Sequence, residues 1–366
     1  VGGCVLKELG KKGITNVIHC AASVSFTQSI EDATSANILP ALRLKRLATK
    51  WGARYTHIST AFVHGNNHST LERKLPEKTY DLRDRWDVKK VFKSMQEGGG
   101  LAEEVMSKEG FANSYCFSKC IAELMLEEMG GDTVVVRPAI VGPSIAAPYK
   151  GYGGDRASTL VAGALLFLSS RWSMWYLPDN EVPVVPCDVV GREVLRRAFG
   201  EANGVYNAIW GSEDGRERFT WKKFSETTIL IGQVKGVYGR WVGMVSKFLG
   251  TDLGSQGKGD DFAWWHTNVP MRLLEVKCSA LEFFGRKDEA AKMRKMTPFL
   301  NLPYLFKPFT ERNFHFASEL TKPAKFDDEE YMILCGMVGE RFREKIAGGR
   351  KKKAGDWKKL VIGGRR

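Results

Sequence analysis

Residues 113–120 read N-S-Y-C-F-S-K-C and set Tyr115 four positions ahead of Lys119. Residues i and i+4 are neighbours on one face of a helix, and a helical run, I-A-E-L-M-L-E-E-M, follows directly. A phenol beside an ammonium is either a solvated surface couple or a tuned proton donor. An ordinary tyrosine titrates near pH 10, and an ammonium within about 4–6 Å favours the phenolate. If the pair is a proton donor, Lys119 would lower the pKa of Tyr115, and the spacing alone leaves both readings open. Other reactive pairings are weaker. Cys116 and Cys120 stand four apart with no histidine pair near them, and His64 and His68 are separated by glycine and asparagine, which argue for a loop. No metal is expected at either pair. There is no G-x-S-x-G, and G-S-Q-G-K-G at 254–259 lacks the spacing and the hydroxyl residue of a phosphate-binding loop.

The elements that must hold Tyr115 and Lys119 in place alternate in type. T-N-V-I-H-C-A-A (15–22), R-Y-T-H-I-S-T-A (54–61), D-T-V-V-V-R-P (ending at Pro138) and V-Y-N-A-I-W (205–210) have strand character. Helical spacing marks 38–48 and the run from about Ser114, and V-P-V-V-P-C-D-V-V-G-R-E-V-L-R-R-A (182–198) reads as a turn capped by Asp188 that opens a helix. A polar stretch from about 66 to 110 interrupts the rhythm, with E-G-G-G at 97–100 as its most flexible part. Strand and helix in alternation predict an α/β fold, a Rossmann-like, doubly wound parallel sheet covered by helices. Ligands of such sheets bind beyond the carboxyl ends of the strands, where His19–Ala22, Ser59–Ala61 and Pro138–Gly142 fall. After about residue 215 strand patterns cease, and helices are expected near 271–285 and 328–346. The predicted domains are 1–215, a mainly helical 216–348, and a basic tail, 349–366.

The composition is that of a soluble globular protein: 366 residues, 43% hydrophobic and 27% charged. No apolar stretch of about 18 residues and no basic-then-apolar leader is present, so neither a membrane span nor secretion is expected. Seven cysteines without regular spacing predict reduced thiols and an intracellular setting. The net charge of +13 is uneven: the tail from Gly349 holds eight basic residues against one acid. Such a tail is most often a solvated end, but with Trp357 and Leu360–Ile362 it could also seek an anionic membrane surface.

V-I-H-C-A-A-S-V-S-F, H-I-S-T-A-F-V-H-G, Y-C-F-S-K, V-V-V-R-P-A-I-V-G-P-S and V-V-P-C-D-V-V occur in the order found in extended short-chain dehydrogenases/reductases. More narrowly they resemble fatty acyl-CoA reductases, well over about 15–215 and loosely over about 260–345, where N-F-H-F-A-S and K-F-D-D-E-E-Y stand. The resemblance implies that Tyr115 protonates a carbonyl oxygen as hydride reaches its carbon. It implies that Lys119 supports Tyr115 and holds the ribose of a nicotinamide cofactor, NADPH. Thr60, with Ser59 as the less favoured substitute, would hydrogen-bond the substrate oxygen, and Asn37 would support the polar network. Ala21 and Ala22 would let the cofactor approach the backbone. Pro138, Ile140 and Val141 would lie at its nicotinamide, with core packing an equal reading for Ile140.

The family's T-G-x-x-G-x-x-G turn does not stand in this sequence, so the first strands are expected to precede Val1 and the chain to be truncated. The implied reaction is reduction of long-chain acyl-CoA to fatty alcohol through the aldehyde, by an enzyme peripheral to an organelle membrane. Basic residues among aromatics in W-K-K-F and P-Y-L-F-K-P-F fit grooves for acyl chains and coenzyme A phosphates, and no nucleic acid partner is expected. The alternatives are another extended reductase, of the sterol dehydrogenase or sugar-nucleotide epimerase type, and a non-catalytic remnant without its cofactor half.

Overall fold

The computed structural model describes Glu8 and residues 10–155, 160–164, 180–210, 219–234, 269–294 and 302–346. The basic tail and its membrane reading lie outside them. Four parallel strands form the sheet: β1 (Asn16–His19), β2 (Arg54–Ile58), β3 (Thr133–Pro138) and, in last place, β6 (Gly204–Ala208). Their order is β1-β2-β3-β6, with Ile18 opposite Thr56, His57 opposite Val135, and Val136 opposite Tyr206. A short parallel pair, β4 (Ile140–Gly142) and β5 (Val184–Pro186), continues past the end of β3. The fold is therefore α/β with a parallel sheet. Among the described strands the order runs one way, from β1 to β6, with helices on both faces.

The period-2 alternation of β3 sets the layers. Val134 and Val136 pack with Val189, Val190 and Val194 of one helix, α5 (Cys187–Ala198). On the other face Arg137 meets Glu123 of α4 (Ser114–Met129). That face also carries α1 (Leu39–Lys50), whose Ala41, Leu42 and Ala48 join Phe117, Ile121 and Leu124 of α4 in the main core. The Asn113 side chain caps α4, accepting the Cys116 N–H at 2.9 Å, so the helix starts where the sequence places it. No named strand follows β6 among the described residues. Helices α6 (Trp221–Val234), α7 (Val269–Phe283), α8 (Lys287–Arg294), α9 (Leu302–Thr310) and α10 (Asp328–Ile346) take its place.

Two sequence expectations are corrected. The polar stretch is not a flexible interruption: it holds two helices, α2 (Val88–Glu97) and α3 (Gly100–Lys108). Asp87 caps α2, which buries Val88, Val91 and Met95. The glycines are the turn between them, with Gly98 at φ 68°, a left-handed stop that a side chain would bring into Glu31. Asp188 is not a cap either. Pro186 precedes the helix, V-V-P is strand β5, and the Asp188 carboxylate accepts from the N–H groups of Ile145, Ala146 and Ala147 at 2.9–3.1 Å.

Helix α10 makes a close approach to the end of the sheet. Tyr331 of α10, 2% exposed, donates its hydroxyl to the Pro143 carbonyl at 2.7 Å. It passes over Gly142, where a Cβ would meet the Tyr331 hydroxyl and lie 3.1 Å from Val184 Cγ2. Gly142→Ala should therefore destabilise the protein by about 1–3 kcal/mol in urea unfolding, through overpacking. The cost should shrink in a Tyr331→Phe background, whereas an equal cost in both backgrounds would show that Tyr331 is not the obstacle.

Candidate active site

Because the strands are parallel, the carboxyl ends of β1, β2 and β3 share one edge of the sheet, and the residues singled out by sequence gather there. Thr60 follows β2 with extended backbone and opens a 3-10 turn, Ala61–His64, accepting the Phe62 N–H at 3.3 Å. The residues between His64 and His68 form the expected loop, and His64 is buried with its Nε2 2.9 Å from the Lys78 carbonyl. Thr60 is 3% exposed, and it stands near Tyr115 across the gap between β2 and α4. Beside Thr60, Ser59 is buried with no partner for its hydroxyl among the described residues.

Asn37 lies in a π-helical stretch, Thr34–Ile38, inserted between a short turn, Ile30–Ala33, and α1. Widened turns of this kind redirect a side chain without ending the helix. The Asn37 amide accepts the Ser23 N–H at 2.8 Å and donates to the Ser23 carbonyl at 3.2 Å and to Ser118 Oγ at 3.0 Å. Ser118 in turn donates to the Tyr115 carbonyl at 2.9 Å. One buried amide thus clamps the segment after β1 to the helix that carries Tyr115. Ala21 and Ala22, just ahead of the clamped Ser23, are exposed. Pro138 is buried at the end of β3 and Val141 half-buried, whereas Ile140 pairs with Val184 inside the main core, so packing accounts for it.

Tyr115 and Lys119 share a helix face, but the ammonium is not spent on the phenol. Lys119 is 2% exposed, and its Nζ donates to the Ile58 carbonyl at 2.7 Å. The expected depression of the Tyr115 pKa is accordingly absent: burial pushes it well up, and only the nearby Thr60 side chain acts the other way. Lys119 itself is pulled down to about 8 by burial, with Glu123 acting against the shift. Its charge falls on two imidazoles that sequence reasoning did not single out. His19 and His57 are register partners, with ring centroids 5.4 Å apart. His19 is lowered to about 4 and His57 well below its ordinary value, first by burial and then by Lys119. The Tyr55 hydroxyl donates to the Ala41 carbonyl at 3.0 Å, which leaves His19 Nδ1 as the donor to it at 3.0 Å. Ser118 and Glu123 were also missed. Both lie within the Y-C-F-S-K-C-I-A-E run, at one and two turns from Tyr115, and that spacing was the available signal.

A family model described as male sterility protein, an NAD-binding family, matches residues 6–194, just over half of the chain. The chain belongs to this family. Fatty acyl-CoA reductase 1 of Gallus gallus is 27% identical over 60% of this chain and 43% of its own. The Mus musculus protein of that name is 30% identical over 54% and 40%. The chain thus spans about two fifths of the length of these relatives. Among solved structures, the terminal R domain of the myxalamid PKS-NRPS pathway is 15% identical and covers 96% of this chain and 72% of its own, with a TM-score of 0.49. The dTDP-4-dehydrorhamnose reductase of Bacillus anthracis is 15% identical over 63% and 66%, with a TM-score of 0.41.

Membership carries a nicotinamide cofactor with it, and the residues of the edge fit one. Exposed small residues at 21–22 let a ribose approach the backbone, and the unpartnered Ser59 hydroxyl stands beside Thr60.

The Lys119 shift has a consequence for stability. Its folded value of about 8 lies below the ordinary 10.5, so between those limits the unfolded chain keeps a proton that the folded chain has released. Stability therefore rises with pH through that window, by roughly 3 kcal/mol from this group. In Lys119→Met the rise should be missing, so the wild-type minus variant difference in unfolding free energy should increase from pH 8 to 10.5. A flat difference would refute a strongly depressed lysine.

Proposed function

We propose that the protein reduces the carbonyl of a long-chain acyl-CoA, with NADPH as the nicotinamide cofactor and the fatty alcohol, formed through the aldehyde, as product. The observation that carries this reading is the gathering of Thr60, Tyr115 and Lys119 at the carboxyl edge of the sheet, with Lys119 Nζ held by the Ile58 carbonyl at 2.7 Å. Two neighbouring hydroxyls at this edge can hold a carbonyl oxygen on which negative charge grows, and pre-aimed donors commonly supply the largest share of transition-state stabilisation. When bound, the cofactor supplies the hydride.

The chain's own groups do the rest. Burial keeps Tyr115 a neutral phenol at physiological pH, which is the form that donates. An alkoxide is a far stronger base than a phenolate, so proton transfer from Tyr115 runs downhill even with its raised pKa. Lys119, Ala21, Ala22 and Pro138 would hold the cofactor's ribose and nicotinamide. Asn37, through Ser23 and Ser118, keeps β1's exit and α4 at a fixed separation. Fatty acyl-CoA as substrate is supported by the names of the relatives and by the aromatic wall beside Tyr115, where Phe26 lies 5.9 Å from its ring.

Tyr115→Phe should cut acyl-CoA-dependent NADPH oxidation at least about a hundredfold, the lower end for acid–base catalysis, with circular dichroism and melting unchanged. Near-normal turnover would remove Tyr115 from the reaction. Turnover of sterols or nucleotide sugars without any on acyl-CoA would replace the substrate class.

A further inference from the structure

Tyr115, Lys119 and Glu123 follow one another at four-residue intervals along α4 and so share a face. Glu123 is 2% exposed, and Arg137 of β3, which meets it, is fully buried. The guanidinium grips the carboxylate at both oxygens: Nε donates to Oε1 at 2.9 Å and Nη2 to Oε2. Its Nη1 donates to the Lys78 carbonyl at 2.9 Å, the same oxygen that His64 meets.

An ion pair at this depth gives up both hydration shells, and apolar side chains of similar volume usually stabilise a core as well or better. A charged pair in a place that Val or Leu could fill calls for a reason besides stability. The neighbour along α4 supplies one. The groups acting on Lys119 are His19 and Cys20 from the end of β1, His57 from β2, and Glu123 on its own helix, with Arg137 behind Glu123 from β3. The imidazoles are neutral, and burial pushes the Cys20 thiol up. Glu123 is therefore the carboxylate among the groups that act on this buried ammonium.

We propose that Glu123, braced by Arg137, is a positioning residue that keeps Lys119 in its ammonium form and locks the Tyr115–Lys119 face of α4 against β3. The assignment rests on the reductase reading above, in which Lys119 acts as a cation. Arg137 immediately precedes Pro138, so the same pair ties the end of β3 to the helix bearing the proton donor. Neither Glu123 nor Arg137 needs to touch substrate for this.

The test removes both charges together, in Glu123→Gln/Arg137→Met, so that no unpaired charge is left in the core. Lysine labelled with 13C at Cε, with the Lys119 signal assigned through Lys119→Met, reports the Lys119 titration directly by NMR in the full chain. The midpoint should fall by at least about one pH unit, a tenfold change in the protonation equilibrium. The alkaline limb of kcat/KM on acyl-CoA should move down with it. Glu123→Gln alone, which keeps the shape of the contact with Arg137, gives the same reading if the double variant does not fold. An unmoved Lys119 midpoint in a folded variant overturns the proposal. A lowered midpoint with an unmoved kcat/KM limb also overturns it, and places the fault in the reaction assigned to Lys119 rather than in the Glu123 contact.

Discussion

A lysine ammonium buried beneath the ends of parallel strands must find an oxygen, and Lys119 finds the carbonyl of Ile58, the last residue of β2. The rest of the edge depends on that bond. An uncompensated charge at this depth would be too costly to keep, so α4 cannot move away from β2 without stranding it. With α4 fixed, Tyr115 lies within reach of Thr60, two residues past Ile58 on the same strand exit. The two neighbouring imidazoles must stay neutral, because a second cation beside Lys119 would have no anion to balance it. Glu123 and Arg137 close the arrangement from below with one carboxylate and one guanidinium.

Much of this framework was legible in sequence. Runs such as V-V-V-R-P and V-I-H-C-A-A are rich in β-branched residues and end in small residues or proline, so β1, β2, β3 and β6 fall where patterning puts them. Asn113 ahead of an apolar run marks the start of α4 for a physical reason, since its side chain satisfies an orphan N–H. Helices α2 and α3 were hidden because their exposed faces are crowded with Lys, Glu and Ser. The stripe Val88, Val91, Met95 is narrow against that background. Asp188 misled because an acid at a strand–helix junction resembles a cap, and its carboxylate instead serves a loop more than forty residues away in sequence.

The gathering of these residues at one sheet edge was legible in the sequence, and their electrostatics were not. Four-residue spacing establishes that Tyr115 and Lys119 share a face, and nothing more. Where the ammonium points depends on a carbonyl 61 residues away, and the sign of the Tyr115 shift depends on how deeply its oxygen is buried. Both are tertiary quantities. The π-helical stretch at Thr34–Ile38 is of the same kind: nothing in T-S-A-N-I marks a widened turn, yet it delivers Asn37 to Ser23 and Ser118 together.

Burial of Tyr115 has a structural source far along the chain. Phe26, from the exit of β1, lies against Tyr115 and also packs on Phe306 and Phe309 of α9 at 5.5 Å. Phe62, two residues past Thr60, meets Phe309 edge-on at 4.9 Å, and Phe314 and Phe316 at 5.3 and 6.1 Å. The bridge between Leu75 and Phe316 holds the segment ahead of α2 to the same wall. Edge-to-face aromatic contacts each contribute about 0.5–1.5 kcal/mol beyond the area they bury, so a cluster of this size holds the C-terminal helices against the sheet edge. It also keeps water from one side of the phenol, which is the physical origin of the raised Tyr115 pKa. The described residues after 300 thus shape the surroundings of the Tyr115 phenol through aromatic packing.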